Sequence, residues 1–167
     1  MEKMTAKEFI ALGGNVYEGT LDLRGLCVET LPDNLTVTGS VLLRGNKHIT
    51  KLPKGLSIAK TLDLSETNIT TLPNDLEVGD DLILTNSAIE AIPEGLVIGR
   101  SLFLEGTQIT ELPKGLRVLK HLQMIKTKIT TIPDEVQVQG YVYVSAKAAK
   151  SVRQSVANRE DVHIVVV

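Results

Sequence analysis

The dipeptide Leu-Pro or Ile-Pro begins at residues 31, 52, 72, 92, 112 and 132, a step of 20 residues broken once by a step of 21. All six prolines of the chain lie in these dipeptides. No other feature constrains the fold as strongly, because one unit of this length cannot bury its own apolar row. Copies stacked as successive turns of a coil can, each row packing on the next. The remainder of each unit keeps phase: Leu62, Leu64, Ile69, Leu72, Leu76 and Val78 match Leu102, Leu104, Ile109, Leu112, Leu116 and Val118. The extra residue falls between Leu43 and Ile49, where Gly45-Asn46-Lys47-His48 replaces a shorter link, so a bulge from a turn is expected there.

The short alternating Leu-x-Leu segments predict one parallel strand per turn, both leucines pointing inward and the residue between them outward. Proline lacks an N–H and fixes its own φ, which places it on a bend where no ladder bond is needed. Gly39, Gly79, Gly99 and Gly140 precede the next strand and are expected at positive φ. Aromatics make up only 3% of the chain and Trp is absent, so the core must be built from Leu, Ile and Val in thin, even layers.

The ends differ from the repeats. Thr5 to Leu12 reads as a helix, with Thr5 and Glu8 as a capping box and Gly13-Gly14 as the stop. Phe9, Ile10 and Leu12 would face inward, so residues 1–19 form an N-terminal cap on the first repeat. After a seventh strand, Tyr141 to Val144, the period stops. Ala146 to Asn158 carries Ala148, Ala149, Val152 and Val156 at helical spacing, with Lys147, Lys150 and Arg153 opposite. Asp161 to Val167 then reads as a buried strand. Strand, helix and strand imply a right-handed crossover that adds an eighth parallel strand and closes the core. The expected architecture is a single α/β domain over 1–167, with repeats in 20–145 and a C-terminal cap in 146–167.

These residues resemble the leucine-rich repeat family, in the short bacterial and phage subclass with a Leu-Pro in every unit. The resemblance covers about Leu21 to Val144 and implies a solenoid with a parallel β-sheet on its concave face. The family's Asn, whose side chain bonds backbone inside the turn, is here Thr67, Thr107 and Thr127, with Ser87, Asn46 and Leu26 in the other copies. A hydroxyl donates and accepts, so a Thr/Ser ladder could do similar work. The link Val78-x-x-x-Leu82 is one residue longer than the family's spacing. The resemblance further implies kinship with bacterial effectors that join such repeats to a separate ubiquitin-ligase domain; with residues 1–167 taken up by the repeats and two caps, that domain is not expected here.

A net charge of −2, from 18 basic and 20 acidic residues, gives no global field toward nucleic acid or an anionic membrane. The lone Cys27 fits a reducing compartment, and the N-terminus has no long apolar run, so a cytoplasmic protein is expected. No catalytic residues, metal ligands or cofactor site are expected. His48, His121 and His163 do not have the spacing of a metal site, and neither a phosphate loop nor Gly-x-Ser-x-Gly is present. Cys27 occupies a position held elsewhere by Asn68, Ala88, Gln108 and Lys128, which marks it as an exposed, inert thiol. Asp22 and Asp63 stand two strands apart, roughly 10 Å, near the spacing of an inverting glycosidase pair. Arg24 and Arg44 in the next column favour a solvated charge cluster instead.

The outward strand positions form three columns that change along the repeat. The first runs Thr20, Ser40, Thr61, Asp81, Ser101, His121, Tyr141. The second runs Asp22, Leu42, Asp63, Ile83, Phe103, Gln123, Tyr143, and the third Arg24, Arg44, Ser65, Thr85, Glu105, Ile125, Ser145. Of three tyrosines and two phenylalanines, Phe103, Tyr141 and Tyr143 fall on this face, all toward its C-terminal half. Large apolar side chains that folding does not require to be exposed point to a binding patch. Ile83, Phe103, His121, Gln123, Ile125, Tyr141 and Tyr143 are therefore the expected contacts with a protein or peptide partner. Seven strands span roughly 30 Å, enough for an interface of about 800 Å² per partner. A monomer is expected rather than a homo-oligomer; self-assembly through the sheet face or a solenoid end is the competing reading.

Overall fold

The computed structural model describes residues 15–167. The helix expected over Thr5 to Leu12 lies outside them. The chain winds as a parallel β-solenoid of about eight turns. The Leu-x-Leu segments supply the strands Leu21–Asp22, Val41–Leu42, Leu62–Asp63, Leu82–Ile83, Leu102–Phe103, Leu122–Gln123 and Tyr141–Val144. These pair in sequence order, and His163–Val166 joins parallel to Tyr141–Val144 as the eighth.

The expectation of one strand per turn needs correction. Each turn carries a second short strand: Val16–Tyr17, Thr36–Val37, Ser57–Ile58, Glu77–Val78, Val97–Ile98, Arg117–Val118 and Gln137–Val138. They form a separate parallel sheet. The cause is a second alternation, Leu76-Glu77-Val78 and its equivalents from Leu35-Thr36-Val37 onward, in which the flanking apolar residues are buried and the middle one is exposed or, at Ser57, half-buried. The core thus lies between two sheets. Leu62, Leu64, Ile69, Leu72, Leu76 and Val78, and their counterparts in the 102–118 copy, are all buried. The prolines lie outside both sheets, on the bend before the second strand. There Pro73, Pro113 and Pro133 accept the N–H of the residue three positions on, at 3.1–3.4 Å.

The glycine expectation also changes. Gly39, Gly79, Gly99 and Gly140 do not adopt positive φ. Instead each lies against the backbone of the preceding turn, where a Cβ would strike Gly19, Ala59, Gly79 or Lys120 respectively. Positive φ marks two other corners: the one just after the first strand, at Gly25 (73°), Gly45 (77°), Glu66 (59°), Asn86 (54°), Gly106 (70°) and Lys126 (55°), and the one just before the second strand, at Asn34 (57°), Gly55 (64°), Gly95 (71°) and Gly115 (70°), with Gly19 (91°) ahead of the strand at Leu21.

At the corner after the first strand the hydroxyls make no ladder. Thr67, Ser87, Thr107 and Thr127 each donate to the carbonyl three residues back in their own turn, at 2.6–2.8 Å. Asn46, in the same position, reaches across instead, its Nδ2 donating to the Leu26 carbonyl at 3.0 Å. Its Oδ1 accepts the N–H of His48 (3.0 Å) and of Ile49 (3.4 Å), which ties down the extra residue of that turn.

The C-terminal segment forms the helix Ala146–Ser155, three residues shorter than expected, with Ala149 and Val152 buried. Val156 and Val162 continue its apolar contact with the core. Arg159 fastens this cap: it donates to the carbonyls of Pro133 (3.0 Å) and Val136 (2.7 Å) and pairs with Asp161 at 2.6 Å. Ser155 Oγ adds a bond from the Ile132 N–H at 3.0 Å. Among the described residues no helix is long and apolar enough to cross a membrane.

Candidate partner-binding face

Strand register sets the outer face of the Leu-x-Leu sheet. Asp22, Leu42, Asp63, Ile83, Phe103, Gln123 and Tyr143 stand opposite one another in succession, in the order of the sequence-derived column. The sheet extends this column by Val165 opposite Tyr143, and the first column by His163 opposite Tyr141. Sequence reasoning assigned neither residue to the site. The alternation His163-x-Val165 beyond the helix carried the signal.

The face divides into two halves. In the N-terminal half the charged groups satisfy each other. Arg24 holds Asp22 through two bonds, Nε to Oδ1 at 2.9 Å and Nη2 to Oδ2 at 2.6 Å. That guanidinium lowers the Asp22 carboxyl below its ordinary range, the opposite of what a general acid requires. Asp63 Oδ1 accepts both the N–H (2.9 Å) and the hydroxyl (2.6 Å) of Ser65. Arg44 pairs with Glu66 at 2.9 Å rather than with either aspartate. The two carboxylates are thus separately engaged within their own strands, with Leu42 between them.

In the C-terminal half the rings converge. His121 stacks on Tyr141 with centroids 5.7 Å apart and planes 22° from parallel, and meets Tyr143 edge-on at 5.9 Å. Tyr141 and Tyr143 are 6.4 Å apart, and His163 lies 6.1 Å beyond Tyr141. The backbone fixes this row, because the Tyr141 N–H donates to His121 Nδ1 at 3.1 Å. In that contact Nδ1 is an acceptor, which leaves the imidazole hydrogen on Nε2. Ring centroids of 4.5–7 Å give attraction beyond simple burial. Tyr141 is 49% exposed, whereas Ile83, Phe103, Gln123, Ile125 and Tyr143 are half-buried. The structure therefore gathers His121, Tyr141 and Tyr143 into one cluster. Gln123 lies beside Tyr143 in the same column, with Phe103 and then Ile83 on the strands before it, and Ile125 stands in the adjacent column.

The second sheet presents Thr36, Ser57, Glu77, Val97, Arg117 and Gln137 outward, a mixed column without rings. A shallow open depression of about 600 Å³ on that side, bordered by Ser57, Asp75, Glu77 and Val97, is remote from the aromatic cluster and gathers no comparable set of side chains. Among the described residues no group of His, Cys, Asp and Glu could hold a metal ion, and Cys27 is exposed. No protein-family model matches the chain, and no curated protein matches it.

Proposed function

We propose that this chain is a non-enzymatic binding module of leucine-rich repeat kinship that holds a protein or peptide on the outer face of its Leu-x-Leu sheet. Ile83, Phe103, His121, Gln123, Ile125, Tyr141 and Tyr143 make the contact. One observation carries the reading: three rings stand within 6.4 Å of one another on a sheet face, Tyr141 among them at half exposure. Rigid rings of this kind give up large apolar area to a partner at small entropic cost. The six in-phase apolar positions support the kinship. A cytoplasmic role in bacterial effector action or phage and host interplay belongs to the same reading.

The test is capture of partners from a host lysate on immobilised protein, with Phe103→Ala and Tyr143→Ala as probes and circular dichroism as the check on folding. Loss of the captured species in both variants is expected. Unchanged capture by both would remove the patch assignment.

A further inference from the structure

The eighth strand closes the core but opens an edge. Val167 N–H donates to the Val144 carbonyl at 3.0 Å, which identifies the odd-numbered residues of this segment as those bonded to the sheet. Alternation turns the N–H and C=O of Ile164 and Val166 to the other side, where no strand of the described residues pairs with them. Protected edges carry a lysine, a proline or a bulge. His163-Ile164-Val165-Val166-Val167 carries none of these, and Val166 is 38% exposed.

We propose that this edge is the interface of a two-fold dimer, in which the segment pairs antiparallel with the same segment of a second copy about Val165. The register follows from which groups face outward. An antiparallel pair of facing residues exchanges both of its hydrogen bonds. Centring the dyad on Val165 sets Ile164 opposite the mate's Val166 and Val166 opposite the mate's Ile164, so every outward N–H and C=O of the two residues meets a partner. Shifting the register by one residue turns inward-bonded groups toward each other and satisfies none. A second copy fits this edge because the segment is itself extended and, with no Asp, Glu, Lys or Arg from His163 to Val167, can face its own copy without like-charged side chains meeting across the pair. On the core side Ile164 and Val166 cover their symmetry mates. On the outer side the rows His163–Tyr141 and Val165–Tyr143 continue across the dyad, making one aromatic face from two. This differs from the monomer expected from sequence and stands independently of the partner on the aromatic face.

Light scattering on the eluted 167-residue chain, over a concentration series into the millimolar range, should give twice the 18.1 kDa chain mass. Val166→Pro removes a donor that faces away from the sheet, a place where an edge strand tolerates proline, and should return the mass to that of one chain. Val166→Lys, at a partly exposed position, provides the same test if the proline variant does not fold. Register is read by disulfide trapping in a Cys27→Ser background. Val165→Cys faces itself across the dyad, a non-hydrogen-bonded pair with Cα atoms about 4.5 Å apart, and should cross-link on mild oxidation. Val167→Cys, offset from its mate by about four residues or roughly 13 Å, should not. A single-chain mass throughout the series, a dimer indifferent to both residue 166 variants, or cross-linking at 167 in preference to 165 would each overturn the proposal.

Discussion

The corner after each of the first six Leu-x-Leu strands places one residue at positive φ, and the chain fills it with two kinds of residue whose energies can be compared. Gly25 and Gly45 sit there with nothing within 4 Å of an added Cβ, so an alanine at either position would feel only the backbone conformation. The left-handed region costs a non-glycine residue about 1–2 kcal/mol. Alanine also restricts the unfolded chain, which returns about 0.5–1 kcal/mol. Gly25→Ala and Gly45→Ala should therefore each destabilise by up to about 1.5 kcal/mol, centred on roughly 0.8 kcal/mol, a drop of about 0.4 M in the urea midpoint for a chain of this size. The mirror experiment is Glu66, at φ 59°. Comparing Glu66→Gly with Glu66→Ala removes the Arg44 ion pair from both, and the glycine variant should be the more stable by the same margin, centred on roughly 0.8 kcal/mol. Gly79→Ala should cost more than any of these, since its φ is ordinary and its Cβ would meet the Ala59 carbonyl of the neighbouring turn. Urea unfolding followed by far-UV circular dichroism measures all five variants. No loss in Gly25→Ala and Gly45→Ala together with equal stability of the two Glu66 variants would refute the assignment of backbone strain to this corner.

Arg159→Ala should destabilise by about 2–3 kcal/mol, because the carbonyls of Pro133 and Val136 lose their shared charged donor; thermal unfolding measures this, and Arg159→Lys should recover only part of it because an ammonium lacks the guanidinium fork. Asp161 and Asp22 both have carboxyls lowered by their arginine partners, chiefly through the side-chain hydrogen bonds from Arg159 and Arg24. A depressed folded-state pKa contributes stability above the ordinary value of 3.8 that is lost as pH falls through the folded-state value. The unfolding midpoint of the unmodified chain should therefore fall more steeply below pH 4 than that of an Asp22→Asn/Asp161→Asn variant, and parallel curves would count against both pairs. Thr107→Val deletes the hydroxyl bond to the Leu104 carbonyl inside the buried corner and should cost about 1 kcal/mol in urea unfolding, with Thr107→Ser nearer the parent.

How much of this was legible in the residues depends on how often each signal was repeated. The apolar positions recur in every unit, so the core and the main sheet could be read directly, and the outward columns followed from alternation alone. The second sheet rests on three-residue alternations such as Leu56-Ser57-Ile58, too short to stand out beside the Leu-x-Leu signal although each copy contains one. The positive-φ corner was hidden because Glu66 and Lys126 are not residues that favour it; only their alignment with Gly25, Gly45 and Gly106 reveals the requirement. Gly79 and Gly99 misled because a glycine selected for close backbone approach has the same letter as one selected for φ. At the aromatic face the sequence placed Tyr141 and Tyr143 in their columns. Their stacking on His121 depends on a backbone N–H aimed at a ring nitrogen, which no residue pattern encodes.

The extra residue at Lys47-His48 has a further consequence. The turns on either side keep register in both sheets, with Val41 opposite Leu62 and Thr36 opposite Ser57, so the insertion is absorbed between them and transmitted to neither. Asn46 acts as a local clamp that lets this edge of the coil vary in length while the outer face of the Leu-x-Leu sheet keeps its spacing. Loops of different length and chemistry could be grafted at the same corner of any turn whose hydroxyl is exchanged for asparagine. The solenoid can in this way acquire a second, independently variable surface without disturbing the first.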